Sequence, residues 1–244
     1  MTFRQLSQEE FVNHSASCAQ RSFMQTVEME KLLAKRGFTC QYVGHTNELD
    51  EVTVSAVLYS MPMTGGLHME INCGPVSTNP HDLQHFYREL KTYAKENGAL
   101  ELVVKPYETY QTFDSNGQPT SLEKTELIKD LTDLGYEFDG LQTGYPGGEP
   151  DWHYVKDLAG LTEKDLIKSF SKNGKSTVKK ANTFGIQLKK LKRDELNIFK
   201  EITSATSERR EYSDKSLDYY QDFYDAFGNQ ADFMIATLNF QDYL

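Results

Sequence analysis

The sequence predicts a mixed α/β fold. Segments with the two-residue periodicity of β-strands alternate along the chain with segments that have helical periodicity and capping residues at their ends. The predicted elements of the first half follow the order β-α-α-β-β-β-α-β, and the second half begins again with β-α-α-β. A chain of 244 residues can bury one large core or two small ones. The repeated order predicts two related subdomains, residues 1–150 and 151–244.

Capping residues and alternation define the elements of the first half. Ser7 precedes two glutamates and predicts a helix start, whereas Gly37 predicts a helix end, because glycine readily adopts the left-handed conformation that closes a helix. The predicted strands are 3–6, 38–45, 52–61, 67–72 and 100–105, the last of them buried. The predicted helices are 7–17, 24–36, 81–96 and 122–134.

The second half is predicted to begin after the segment 144–150, which is rich in glycine and proline. The predicted strands are 152–158, 186–191 and 231–238, and the predicted helices are 163–184, 194–207 and 215–227. The last predicted strand would leave a sheet edge without a neighbour. We therefore expect this chain to be the front part of a longer protein.

Basic residues are concentrated in one short stretch of an acidic chain. The whole sequence has 26 Lys and Arg against 36 Asp and Glu, whereas the window from Lys164 to Arg193 contains ten basic residues and a single acid, Asp165. Such a window concentrates positive potential and predicts contact with phosphates or another polyanion.

The long helix predicted over 163–184 carries the candidate phosphate-binding residues. Its apolar positions 167, 170, 178 and 181 are predicted to face a core, and Asn173-Gly174 is predicted to interrupt the helix and turn backbone N–H groups toward an anion. A merely solvated helix face is the alternative, although like charges at this spacing repel and no glutamate is interleaved. The candidates are Lys172, Lys175, Lys179 and Lys180.

Other residue classes exclude several functions. The three cysteines, Cys18, Cys40 and Cys73, lack metal-ligand spacing and are predicted to be free thiols. The six histidines are scattered, so no metal site and no cofactor is predicted. No signal peptide and no membrane-spanning run is found, which predicts a cytoplasmic protein.

Two adjacent arginines, Arg209 and Arg210, stand where a helix is predicted to end. Cations there favour the helix dipole, and guanidinium groups also match phosphate geometry, so both interpretations remain open on the local sequence.

Four groups of residues, in order along the chain, resemble motifs of the Fem family of non-ribosomal peptidyl transferases, most closely its streptococcal MurM/MurN branch. The motifs span nearly the whole sequence, and each is weak when taken alone. They are SFMQT at 22–26, CGPV at 73–76, SFSKN at 169–173 with VKKA at 178–181, and TSER at 206–209 followed by aromatic residues at 219, 220, 223 and 227.

The resemblance implies tandem GNAT-like subdomains, the second one truncated here, with a helical arm beyond residue 244. It implies transfer of an amino acid from aminoacyl-tRNA to the stem-peptide lysine of a peptidoglycan precursor, either lipid II or UDP-MurNAc-pentapeptide. The protein would then meet the inner face of the membrane peripherally and would not bind DNA.

Residue by residue, the resemblance implies few assignments. Arg209, or Arg210 if the register differs by one, would contact the precursor phosphates. Met29 and Leu33 occupy the positions around which a related protein places a phosphate-binding lysine, so that contact is missing. The four lysines would hold tRNA or precursor phosphates. No general base is identified, and no covalent acyl-enzyme is expected.

Two other functions compete with this interpretation. An acetyl-CoA-dependent N-acetyltransferase needs a glycine-rich turn that leads into a helix and holds a pyrophosphate, and the sequence contains none. A non-enzymatic RNA-binding module would typically interleave aromatic residues with its basic ones, which this basic window does only sparsely.

Overall fold

A computed structural model describes residues 2–141 and 152–238 of the chain. They fall into two compact units, Met1–Asp139 and Gly140–Leu244. The predicted α/β class is confirmed, since helices and strands alternate in both units. The segment 144–150, predicted as the boundary, lies outside the described residues, and the division at residue 150 stays a prediction.

A six-stranded sheet forms the centre of unit 1. Its order is β1-β2-β3-β4-β6, with β5 paired to β3, and only β4 and β6 run parallel. The two-residue strand β5 was not predicted, because it is too short to show alternation. The strands are β1 Thr2–Gln5, β2 Thr39–Thr46, β3 Val52–Met63, β4 Gly66–Asn72, β5 Val76–Ser77 and β6 Ala99–Lys105.

Four α-helices accompany this sheet: α1 Gln8–Ser17, α2 Val27–Lys35, α3 Leu83–Glu96 and α4 Glu126–Asp133. Ser7 and Glu10 form a complete capping box at the start of α1. Thr26 caps α2, so this helix begins three residues later than predicted. The start predicted for α4 at residue 122 is also wrong, because residues 122–125 are not helical.

The apolar stripe of α3 supplies four of the ten buried residues in the core cluster between this helix and the sheet. Phe86, Tyr87 and Leu90 are at most 1% exposed and pack against strand residues such as Val43 and Ile71. Burying each such side chain stabilises the fold by about 1.5–3 kcal/mol. The prediction of a buried β6 is wrong: it lies at the edge of the described sheet, and each of its seven residues is half-buried or exposed.

A buried glutamine joins β3 to β4 where their ladder ends. The last ladder pair on this side is Tyr59 with Glu70, after which β3 pairs with β5 instead. Gln25, only 1% exposed, donates from Nε2 to the carbonyl oxygen of Asn72 at 2.7 Å and accepts from the N–H of Val57 at 2.8 Å. One side chain thus satisfies a backbone group on each of the separated strands.

Unit 2 contains two helix pairs and a two-stranded antiparallel sheet of β7 and β8. Its small core consists of Leu191, Leu196 and Phe233, surrounded by half-buried aromatic residues. The elements are α5 Glu163–Ser169, α6 Lys172–Thr183, β7 Ile186–Lys190, α7 Leu196–Arg210, α8 Leu217–Phe227 and β8 Met234–Leu238.

The beginning of unit 2 differs from the prediction in two ways. Residues 152–158, predicted as a strand, form none, and their side chains are exposed. They alternate like a strand, but no partner strand pairs with them in the described part of the chain. The predicted internal repeat therefore lacks its first strand there. The helix predicted over 163–184 is also wrong, because α5 and α6 are separate helices.

Candidate polyanion-binding site

The cationic helix α6 begins at its own cap. Phe170 has extended backbone angles (φ −70°, ψ 151°), and the Ser171 side chain accepts a hydrogen bond from the N–H of Gly174 at 3.1 Å. The predicted interruption at Asn173-Gly174 is therefore wrong, because both residues lie in the first turn of α6. Because the N–H of Gly174 already donates to the capping side chain of Ser171, it is not available to an anion.

Three lysines of α6 share one side of the helix. At 100° per residue, Lys172, Lys175 and Lys179 fall within an arc of about 60°, and Lys180 lies about 80° from Lys172. The half-buried residues of α6, Gly174, Val178 and Ala181, lie on a different side. Because α6 contains no acidic residue, nothing on the helix itself offsets this charge.

None of the four α6 lysines forms an ion pair or a side-chain hydrogen bond within residues 2–141 and 152–238. Neighbouring cations of the basic window behave differently, since each of the following has a carboxylate partner. The pairs are Lys168 with Asp165, Lys189 with Glu195, Lys190 with Asp232 and Arg193 with Asp225. The charge that remains available to a partner molecule is thus concentrated on α6.

An open groove of about 400 Å³ runs along α6. It is lined by Ile167, Lys175, Val178, Lys179, Asn182 and Thr183. Two of the four candidate lysines border this groove, whereas Lys172 and Lys180 do not. The predicted core face of this region is wrong: none of residues 167, 170, 178 and 181 is buried, and Ile167 is 37% exposed in the groove wall.

Arg209 and Arg210 lie in the last turn of α7 and are exposed. Neither forms an ion pair in the described part of the chain. Glu211 closes the helix in the left-handed conformation, with φ 57°. The lining of the lysine groove comes from α5 and α6 alone. The structure therefore does not bring the arginines into the same groove as Lys175 and Lys179.

The loop that follows these arginines is held by a single carboxylate. Asp214 accepts hydrogen bonds from Lys200, Thr203 and Ser204 of α7 and from Tyr220 of α8, at 2.6 to 3.1 Å. The Lys200 ammonium, followed by these hydroxyl groups, holds the pKa of Asp214 well below its ordinary range. The part of α7 from Lys200 to Ser204 is thereby joined to α8.

The start of α3 argues against a pyrophosphate site in unit 1. Asn79 accepts from the N–H of His81 and donates to the carboxylate of Asp82 at 3.1 Å. Asp82 is buried and stands directly before the helix. A carboxylate at this helix start repels anions.

No disulfide joins Cys18, Cys40 or Cys73 in the part of the chain that the structure describes. Burial raises the pKa of the Cys18 thiol above its ordinary value. Burial, assisted by the nearby Glu30 carboxylate, raises the pKa of Cys40 to about 12. Both groups are therefore protonated and weakly nucleophilic near neutral pH. Within the described ranges, no three His, Cys, Asp or Glu side chains are placed to hold a metal ion.

Sequence reasoning missed a charged cluster on the sheet of unit 1. Glu70 accepts from Lys105 at 2.7 Å, and the His68 ring lies between Glu101 at 2.6 Å and Glu70 at 3.2 Å. Burial alone would raise the pKa of Glu70, but hydrogen bonds from Lys105, Tyr59 and His68 lower it. The polar residues at the alternate positions 68 and 70 were the only feature of the sequence that could have indicated this cluster.

Fold and site together define an α/β protein with a cationic helix whose lysines form no ion pair among the described residues. A sequence profile of the FemAB family matches residues 6–244, and the chain belongs to the FemAB family. The predicted resemblance to Fem proteins is thereby confirmed. No helix among the described residues has the length and apolar character needed to cross a membrane.

Similar proteins agree with this assignment. The chain is 28% identical over 249 residues to "Aminoacyltransferase FemA" of Staphylococcus aureus strain N315, and equally to that of the bovine strain RF122 / ET3-1. Each alignment covers 100% of this chain and 59% of the relative. The crystal structure of FemX superimposes with a TM-score of 0.76 at 18% identity, covering 99% of this chain and 59% of FemX. The fold is thus shared with FemX, and the chain spans about three fifths of these proteins.

Proposed function

We propose that the protein is an aminoacyltransferase of peptidoglycan cross-bridge synthesis. It transfers an amino acid from aminoacyl-tRNA to the stem-peptide lysine amine of a precursor, lipid II or UDP-MurNAc-pentapeptide. Membership of the FemAB family and the aminoacyltransferase name of its FemA relatives support this reaction. One observation supports aminoacyl-tRNA as the donor. The four lysines of α6 have no ion-pair partner in the described part of the chain and can bind RNA phosphates.

The reaction is the aminolysis of an ester. The lysine nitrogen attacks the ester carbonyl, a C–N bond forms, and the C–O bond to the ribose breaks. The amine loses a proton and the ribose oxygen gains one. Because the ester is already activated, correct placement of the amine against the carbonyl supplies much of the acceleration. No cofactor is needed for this chemistry.

In the proposed arrangement, two cationic regions of unit 2 contact phosphates. Lys172, Lys175, Lys179 and Lys180 contact phosphates of the tRNA or precursor, and Arg209 contacts the precursor phosphates, with Arg210 as the neighbouring candidate. Arg209 suits this role because its guanidinium group can donate two parallel hydrogen bonds to one phosphate.

The proposed acceptor carries a lipid anchor when it is lipid II. We therefore place the reaction in the cytoplasm, at the inner face of the membrane, with peripheral contact only.

The deciding experiment incubates the protein, at the full length that its gene encodes, with lipid II and a panel of charged tRNAs. A second reaction contains acetyl-CoA in place of the tRNAs. Mass spectrometry of the precursor is expected to show the mass of one added amino acid in the first reaction and no acetyl group in the second. An acetylated precursor, or RNA binding without any modified precursor, would contradict the proposal.

A further inference from the structure

A second cationic groove lies in unit 1, along the exposed side of α3. It has a volume of about 610 Å³ and is lined by Arg88, Lys91, Thr92, Lys95, Glu96 and Leu134. Three of these six residues are cations and one is an acid. The groove belongs to a unit with 11 Lys and Arg against 20 Asp and Glu in residues 1–139, so its charge is opposite to that of its surroundings.

The cations of this groove repeat the spacing found on α6. Arg88, Lys91 and Lys95 stand at positions i, i+3 and i+7 of α3, as Lys172, Lys175 and Lys179 do on α6. This spacing places three charges within an arc of about 60° and over a helix length of about 10 Å. Each unit therefore presents one cationic stripe of the same geometry beside a groove.

Two of the three cationic side chains have no carboxylate partner in the described ranges. Arg88 and Lys95 form no ion pair and no side-chain hydrogen bond there. Lys95 lies in the last turn of α3, where a cation also favours the helix dipole, but Arg88 stands in mid-helix, where the dipole gives no reason for it.

The third cation is fixed in the groove wall. The Lys91 ammonium donates to the carbonyl oxygens of Leu134 and Gly135, at 2.9 and 3.0 Å, and lies 5.7 Å from the centre of the Tyr136 ring. A side chain at Gly135 would approach this ammonium to 2.8 Å, so glycine permits the contact. The packing of α4 thus holds Lys91 in place before any partner arrives.

We propose that the α3 groove is a second contact for the phosphate backbone of the tRNA, an inference that rests on the proposed function. The groove contacts phosphates and not bases, because its lining offers no aromatic side chain for stacking. A membrane surface fits less well, since the apolar side of α3 is already buried in the core and Leu134 is the only apolar lining residue.

The test measures binding of deacylated bulk tRNA to the full-length protein over a range of KCl concentrations. In the groove variant, Arg88→Gln and Lys95→Gln are combined. The loss of two phosphate contacts should make the negative slope of log affinity against log salt shallower by about 1.4 to 1.8. Affinity at low salt should fall at least about tenfold. The conservative variant Arg88→Lys with Lys95→Arg should keep the wild-type slope.

A matched control removes two exposed cations of the same unit that lie outside the groove and form no ion pair in the described ranges, by Lys31→Gln with Lys124→Gln. Its slope should stay close to that of the wild type. Binding to phosphatidylglycerol vesicles is measured for every variant in parallel. Vesicle binding that falls in the groove variant while its tRNA slope stays unchanged would identify lipid as the partner and overturn the inference.

The outcomes also separate this inference from the proposed function. A wild-type protein that binds tRNA, together with a groove variant whose slope equals that of the wild type, overturns the groove contact alone. A wild-type protein that does not bind tRNA at any salt concentration overturns both. A reduced slope in the groove variant, but not in the control, supports both.

Discussion

The Lys200 ammonium donates to Asp214 at 2.6 Å, which joins the middle of α7 to the loop that precedes α8. Asp214 is 9% exposed and also accepts from Thr203, Ser204 and Tyr220. The backbone N–H of Lys215 also donates to Asp214, at 2.8 Å, so its carboxylate accepts from five donors and has no acceptor position to spare. The loop after Arg209 and Arg210 therefore depends on one charged group.

Replacing Asp214 with Asn should lower the melting temperature of the protein by several degrees, because the charge that binds five donors is lost. The folded pKa of Asp214 lies below that of an unfolded aspartate, so its contribution is complete above about pH 4 and is lost as the pH falls through the folded value. The difference in melting temperature between wild type and variant should accordingly shrink on acidification.

Glu201→Gln is the matched control, since Glu201 is an exposed carboxylate on the same helix and has no partner in the described part of the chain. Its melting temperature should equal that of the wild type at neutral pH. A difference for Asp214→Asn that stays constant from pH 7 to pH 3 would show that the charge of Asp214 does not stabilise α7.

Gln25 offers a second test of the fold. Gln25→Met keeps the side-chain volume but leaves the N–H of Val57 and the carbonyl of Asn72 buried without partners. The free energy of unfolding should fall by about 2 to 4 kcal/mol, measured by urea denaturation. Gln20→Met, at an exposed position, is the control. Equal stability of the two variants would mean that water replaces the Gln25 amide.

The sequence predicted most readily what depends on neighbouring residues. Ser7 and Gly37 predicted a helix start and a helix end, because capping is a local interaction. The start of α2 was misplaced because Thr26 was not recognised as the cap. The boundary between α5 and α6 has a similar explanation. Ser171 lies inside the single helix predicted over 163–184, although its hydroxyl caps α6.

Local sequence patterns do not predict interactions between residues that are distant in the chain. Residues 152–158 alternate like a strand, yet a strand needs a partner to pair with, and none is found among the described residues. The bridge made by Gln25 and the cluster around Glu70 join residues more than 30 positions apart. The lysines of α6 were predicted from charge, but the carboxylate partners that neutralise their neighbours were not.

The lysines that border the α6 groove should contribute directly to RNA affinity. Lys175→Gln combined with Lys179→Gln should reduce the slope of log affinity for tRNA against log salt by about 1.4 to 1.8. Lys168→Gln combined with Lys189→Gln changes the charge equally, but these lysines are paired with Asp165 and Glu195 and should matter less. Equal effects of the two variants would argue for a diffuse field and against a defined site.

Arg209 should contribute to precursor binding. Arg209→Ala should weaken the binding of UDP-MurNAc-pentapeptide about tenfold by calorimetry, because a charge-assisted hydrogen bond of about 1.5 kcal/mol or more is lost. Arg209→Lys should recover only part of the affinity, since an ammonium group lacks the two-pronged geometry. Arg210→Ala is the matched control. A loss confined to Arg210→Ala would move the contact by one residue, and unchanged binding in both variants would remove it from α7.

Cys18 and Cys40 should take no part in the transfer. With a pKa of about 12, Cys40 is ionised to only about one part in 10⁴ at pH 8, and Cys18 is shifted in the same direction. Alkylation of both by iodoacetamide, followed by mass spectrometry, should therefore be much slower than that of free cysteine. Cys18→Ala and Cys40→Ala, each small changes at their sites, should retain the rate of transfer from aminoacyl-tRNA. A labelled acyl group that stays on the wild-type protein after denaturation, and is absent from one of these variants, would instead identify that cysteine as a nucleophile.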